Sequence, residues 1–412
     1  MTKKFYSESF EYILAYHLII LLPLTIVTSS MIMNLDVLLI SLIFLLTIFK
    51  EKNYEIFKNK FFILISFFFI FLLFNLYNSI DFTNSLNRTF GFLRFIFLSF
   101  ALAHFISFKN FKYIKLIFLS WFIIFTFISV DLLIEFIFGQ NIFGFSNQFP
   151  GRLSGMLNDE LKIGGYYFGF ILIALSTIFY FYEKKLGIVL MIFFLSIGLL
   201  IGERSNFIKI IFSLSLFAIF LNVFSKKLKV ILFTTIIAST FFLINANSEL
   251  KNRFQNQFAK YIFDNGLIHY YHSSVYGAHY NSALKITQKN LLFGIGLKNF
   301  PAECQKKEYI DKKFIFHSAR CSTHPHQLHL DILTSLGITG YLLLMISIFY
   351  LIIKNCYNYK KERNIFSLSC IIFLISTFIL PVPSGSFFTS YGATIFWTNI
   401  GVLLAFEKSY KS

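Results

Sequence analysis

CSTHPHQLHLDILTSLGITGYLLL, residues 321–344, places three of the chain's nine histidines on a polar strap that runs straight into an apolar helical pattern. Carried on to about residue 353, the apolar part is long enough to cross a bilayer, whose hydrocarbon core takes roughly 20 helical residues. The strap would then lie at the membrane surface, where titratable groups can act on a lipid-carried substrate. The fold turns on whether that run is a membrane span or a buried core helix. The rest of the chain decides it.

Of 412 residues, 56% are hydrophobic, 20% aromatic and only 14% charged, against about 25% charged in soluble domains. Mean hydropathy is +0.68. No soluble core of this size hides so much apolar surface. Runs of spanning length fall at about 12–30, 34–50, 60–78, 90–108, 114–137, 163–182, 186–202, 205–224, 229–246, 328–353, 364–382 and 388–406. They predict an all-α polytopic membrane protein with about twelve transmembrane helices. Nine lie in 1–246 and three in 328–412, with one large, mostly helical loop, 247–327, between the ninth and tenth. MTKKFYSESFEY precedes the first run without a small-residue cleavage site, so the first span is expected to be uncleaved.

The net charge of +17 belongs mainly to short connectors. One set of alternate connectors and ends, running from Lys3 and Lys4 through Lys50–Lys60, Lys109–Lys115, Lys184, Lys185, Lys226–Lys229 and Lys354–Arg363 to Lys408 and Lys411, carries twenty basic residues. The short connectors opposite carry four: Arg88, Arg152, Lys162 and Arg204. By the positive-inside bias both termini are expected in the cytoplasm and the long loop outside. The charge therefore sets orientation, and no nucleic-acid partner is expected.

Where basic residues are scarce, each needs a reason. Arg204, in GERSNF at 202–207, is either a snorkelling arginine paired with Glu203 or an anion clamp, with Lys209 a second contributor deeper in the same helix. In PGRLSGMLNDELKIGG, 150–165, Arg152, Asp159 and Glu160 precede a Gly-Gly helix start, as a substrate contact or as a turn with its own Arg–carboxylate pair. Within the loop, Leu250, Phe254, Phe258 and Ile262 recur every four residues with Lys251, Arg253 and Lys260 on other faces, which predicts an amphipathic helix along the membrane surface. A second helical pattern covers about 275–288 and ends before Gly294 and Gly296. KKEYIDKKF, 306–314, reads as solvated surface, and 381–397 as a rigid outward turn. Cys304 and Cys321 share the loop, so an oxidising compartment would let them close a disulfide; two free thiols are the alternative. No CxxC occurs, and thiol redox catalysis has no support.

Histidine accepts a proton near neutral pH, and His326 stands beside a helix start, whose free N–H groups favour an anion and a neutral imidazole. It is the candidate general base, with the Arg204 fork neutralising a departing diphosphate. Two other readings stay open: His324, His326, His329 and Asp331 as zinc ligands, though no HExxH occurs, or histidines that hydrogen-bond loop backbone. Gly337 and Gly340 suit close helix approach.

The pieces GERSNF, FGIGLKNF at 293–300, HPHQ-x9-GITG at 324–340 and PSGSFF at 383–388 together resemble the bacterial O-antigen ligase and polysaccharide polymerase family along most of the chain. The resemblance implies a membrane-glycosyltransferase-like fold in the inner membrane. It implies transfer of a glycan from undecaprenyl diphosphate to a sugar hydroxyl of lipid A core at the periplasmic face, with inversion and without metal or other cofactor. His326 and Arg204 take the catalytic positions; Arg152, Glu160, Lys209, His279, Lys285, Arg320 and His324 are the substrate-binding candidates. Two departures stand out. Tyr341 replaces the usual Thr or Val, and SSVYGAHYNSALKITQKN, 273–290, lacks the family's loop arginine, leaving His279, Lys285, Arg253 or Arg320 for the second phosphate contact. Polymerase action on lipid-linked repeats, protein O-oligosaccharyl transfer and polysaccharide transport are the alternatives. A transporter would need paired intramembrane charges, and Asp131 reads as a lone deep carboxylate.

Overall fold

The computed structural model describes residues 9–107, 111–146, 149–158, 160–222 and 224–407. Lys3, Lys4, Lys109, Asp159, Lys408 and Lys411, used above for orientation and for the 150–165 segment, lie outside the described residues. A helix falls at each of the twelve apolar runs: α1 (Phe10–Thr28), α2 (Ser30–Glu51), α3 (Lys60–Asn75), α4 (Phe82–Ser107), α5 (Phe111–Phe138), α6 (Ile163–Phe181), α7 (Lys184–Leu200), α8 (Arg204–Phe220) and α9 (Lys226–Ala246) before the loop. The loop holds α10 (Ser248–Lys251), a π-helical stretch Asn252–Lys260, α11 (Tyr261–Asn265), α12 (Leu267–Ser273), α13 (Val275–Lys289) and α14 (Phe300–Glu303). After it come α15 (Leu328–Glu362), α16 (Ile365–Ile379) and α17 (Ser390–Ala405). Among the described residues, eight helices are long and apolar enough to cross a membrane. The other four, α7, α8, α16 and α17, run 17, 17, 15 and 16 residues.

Aromatic rings and small residues set the packing. Phe118 stacks on Phe366 with centroids 4.2 Å apart, and Phe366 on Phe406 at 5.1 Å. Helices α4 and α17 touch so closely that a Cβ on Gly401 would meet Leu102 Cβ at 2.7 Å. Helix α9 differs: only Leu232 and Ile236 are buried, while Val230, Ile231, Phe233, Ile237, Phe241 and Phe242 are exposed. A helix with so wide an apolar exterior belongs against lipid.

Buried carboxylates hold the connectors. Asp131 is not the lone one: Asp36, Glu135 and Asp331 are also buried. Glu135 accepts from the Ser154 and Gly155 N–H groups at 3.0 and 2.7 Å, and Asp131 from the Ile142 N–H at 2.9 Å. Both serve as anchors for loop backbone, because a buried carboxylate needs donors wherever it finds them.

Two expectations change in the loop. The four-residue apolar pattern at 250–262 is helical but π-wound in its middle, and its face packs on protein: Leu250 is buried and Phe254 meets Phe207 edge-on at 5.6 Å. Gly337, expected to ease a helix–helix contact, instead interrupts α15 with φ 64° and ψ −172°. The backbone of 291–296 threads this break. Ile295 and Gly296 N–H donate to Thr334 and Ser335 carbonyls at 3.0 and 2.9 Å, and Ile338 N–H donates to Leu291 O at 2.8 Å. A Cβ on Gly337 would meet Leu292 backbone at 2.4 Å. Only glycine fits there. Gly340 does pack closely, against the Phe71 ring. The Cys304 and Cys321 sulfurs are bonded, with Cα atoms 5.6 Å apart, so the strap before His326 is tied back to the α14 turn.

Candidate functional site

Three segments converge at one corner of the loop side. The Arg152 guanidinium donates to Leu161 O at 3.0 Å and lies 3.4 Å from Glu203 Oε1. Glu203 also accepts from the Gly164 N–H and the Asn206 amide. The carboxylate beside Arg204 in sequence is therefore the partner of Arg152. Arg204 forms no ion pair among the described residues; it donates to Arg253 O at 3.4 Å and lies 5.6 Å from the Phe258 ring centre. Arg253 enters from the π-helical stretch and donates through Nε to Gly202 O at 3.2 Å. Burial first, then the charges of Arg152 and Arg204, lower its pKa to about 10, so it is still a cation at neutral pH. Three guanidiniums with one carboxylate between them leave an excess of positive charge that suits a polyanion.

Arg253 also feels Tyr276, whose ring lies 5.8 Å from that of His326. His279 and His324 flank the same imidazole, with centroids 5.2 and 4.1 Å away. Burial, then these two neighbours, hold the His326 pKa down to about 4. Its ring is neutral at physiological pH. Nε2 lies 2.8 Å from Ser322 Oγ, and the backbone sits in the left-handed region at φ 58°, fixed by the Ser384 N–H on His326 O at 2.9 Å. A left-handed non-glycine residue is costly and persists where its surroundings hold it. The turn at 383–388 supplies that hold, since Asp331 Oδ2 accepts from Ser386 Oγ and the Phe387 N–H at 2.8 and 3.0 Å.

The remaining candidates divide. His279 joins the imidazole cluster, with Nδ1 on Arg320 O at 2.8 Å, and burial lowers its pKa. His324 reaches Ser384 O through Nε2 at 3.2 Å. Lys209 is buried in α8 with its ammonium 5.5 Å from the Phe168 ring centre. Lys285 is occupied by Asp311 at 3.2 Å, and Glu160 pairs at the surface with Lys162 at 2.7 Å. Arg320 spends its fork on the His317 and Gln305 carbonyls at 3.2 and 3.0 Å. All three already have protein partners. His329 turns away to Phe378 O and Tyr341 Oη, and among the described residues no three His, Cys, Asp or Glu side chains converge as metal ligands do.

Arg88 and Arg94 went unassigned in the sequence. Arg94, inside α4, donates to Asn34 Oδ1 and Ser390 Oγ at 2.8 and 3.1 Å. Arg88 donates to Phe388 O at 3.0 Å and lines a cavity beside His324. Their signal was present: basic residues within or next to a span are expensive.

These helices define an all-α, multi-pass membrane protein. No protein-family model matches the chain, and a comparison with curated proteins finds no match.

Proposed function

We propose that the protein is a membrane glycosyltransferase of the O-antigen ligase type. It transfers a glycan from undecaprenyl diphosphate to a sugar hydroxyl of lipid A core at the periplasmic face of the inner membrane, with inversion and without a metal. The observation that carries the reading is a neutral His326, held among Tyr276, His279 and His324, in a fold that also gathers Arg152, Arg204 and Arg253 at one corner. His326 takes the proton of the acceptor hydroxyl. That oxygen attacks the anomeric carbon, and the bond to the diphosphate breaks with its electron pair leaving on the diphosphate. Arg204 and Arg253, with Arg152 behind them, neutralise that charge. The Ser322 hydroxyl 2.8 Å from Nε2 marks hydrogen-bonding range for an acceptor O–H at the same nitrogen.

Lipopolysaccharide banding in a deletion strain complemented with His326→Ala tests this. Loss of all polymer from core, with the variant still inserted in the membrane, is the ligase outcome. A band of core plus one repeat instead assigns polymerase action, and full wild-type banding with the alanine variant rejects the mechanism.

A further inference from the structure

A cavity of about 90 Å³ opens beside His324, lined by Arg88, Lys298, His324, Asp331, Ser386 and Thr389 among others. Two cations face it, and Asp331 in the same wall acts on the charge of Arg88 but forms no ion pair with it. Arg88 and Lys298 form no ion pair among the described residues, and Arg88 has a single hydrogen bond there, to Phe388 O. Lys298 is an exposed lysine held in the left-handed region at φ 65°, between Leu297, whose carbonyl receives Ser85 Oγ at 3.0 Å, and the buried Asn299. The one carboxylate in the wall, Asp331, already binds Ser386 Oγ and the Phe387 N–H through Oδ2. The cationic lining of the cavity suits a compact oxyanion.

We propose that this cavity binds a phosphate or carboxylate group borne on a saccharide, and that it is the acceptor-side subsite. The His324 ring that lines this space is 4.1 Å from that of His326, so a second cationic site lies next to the base, available to the acceptor when the arginine corner takes the leaving group. The assignment to acceptor rests on the glycosyl-transfer reading; the anion site itself does not.

The test uses the full chain in detergent, with binding of glucose 6-phosphate, glucuronate and uncharged glucose followed by calorimetry. Farnesyl diphosphate serves as a separate probe of the arginine corner. Either charged sugar binding at least tenfold more tightly than glucose supports the site, and which one binds more tightly separates phosphate from carboxylate. Lys298→Gln, at an exposed residue with no ion pair, should weaken that binding about tenfold or more, the scale of one charge-assisted hydrogen bond, and leave farnesyl diphosphate binding intact. Arg88→Gln should do the same if it folds, and Arg204→Gln should show the reverse pattern. Equal binding of glucose, unchanged binding in Lys298→Gln, or loss of charged-sugar binding in Arg204→Gln overturns the proposal. Selective anion binding without glycan transfer would sink the enzymatic reading and leave the site standing. Normal transfer with no anion binding would do the opposite.

Discussion

At the scale of single residues, the protonation of His326 and the pairing of the arginines make separable predictions. A free imidazole titrates near 6.5, whereas His326 is held at about 4 by burial and two neighbouring rings. If it is the base, the acid limb of the transfer rate falls with a midpoint near 4; a midpoint at 6.5 would remove it from that role. The same depression has a stability sign. As pH falls, the unfolded chain takes up this proton before the folded one, so the contribution is intact above about 6.5 and is lost toward 4. The drop in Tm from pH 7 to pH 5 should therefore shrink in His326→Gln. The arginines differ in another way. Arg152→Gln strands Glu203, which keeps only the Gly164 N–H and Asn206, and should cost about 2 kcal/mol of stability. Arg204→Gln strands no carboxylate, so its Tm should barely move while transfer falls about 100-fold or more. Equal Tm losses in the two variants would contradict the pairing.

At the scale of elements, the joint between loop and bundle is a backbone crossing at Gly294 and Gly337. A methyl at Gly337 meets Leu292 main chain, which cannot yield as a side-chain tip can, and φ 64° with ψ −172° is a region open to glycine alone. Gly337→Ala should destabilise by about 3 kcal/mol or more and raise hydrogen exchange over 291–296. Gly385→Ala, with open space around its Cβ, should change neither. The disulfide is the second tie. A loop of about 15 residues is worth about 3 kcal/mol when closed, and this one ends five residues before His326, so Cys304→Ser/Cys321→Ser should lose both Tm and transfer. Wild-type transfer under full reduction would show that the strap holds its histidine without it. These joints explain what could be read from the sequence and what could not. Hydrophobic runs placed twelve helices because lipid and core select apolar side chains wherever they occur; the His-Gln-Gly-Gly spacing singled out His326, whose left-handed backbone no pattern in the sequence announces. Arg204 next to Glu203 suggested a pair that does not form, since the partner comes from Arg152, 51 residues away. Arg253 stood among four candidates for the second phosphate contact, and the periodicity that put it off the apolar face of a surface helix could not show that it meets the Gly202 carbonyl. Arg88 was counted for its charge alone; its cavity needs four separate segments to exist.

At the scale of the molecule, transfer requires that the arginine corner, the histidine strap and the anion cavity open on the same side of the membrane. The chain order gives that result if every one of the twelve helices crosses, because α9 then ends, and α15 then begins, on the side opposite the lysine-rich connectors. Four of the helices are only 15–17 residues long, about 22–26 Å at 1.5 Å per residue, so each needs its flanking turns or a locally thinner bilayer to span. Cysteine labelling decides the matter. In a chain carrying Cys356→Ser and Cys370→Ser, the remaining cysteines are bonded to each other, so a new thiol is the sole target for an impermeant maleimide. Phe263→Cys, at a loop residue 91% exposed, should label in intact spheroplasts. Lys58→Cys, in the exposed connector between α2 and α3, should label only after lysis. If Lys58→Cys stays protected but Phe263→Cys labels only after lysis, α7 or α8 does not cross; if Lys58→Cys labels from outside and Phe263→Cys only after lysis, the whole chain is inverted. The imidazole and its arginines would then face the cytoplasm, away from any periplasmic acceptor, and the transfer reaction would have to be given up with the topology.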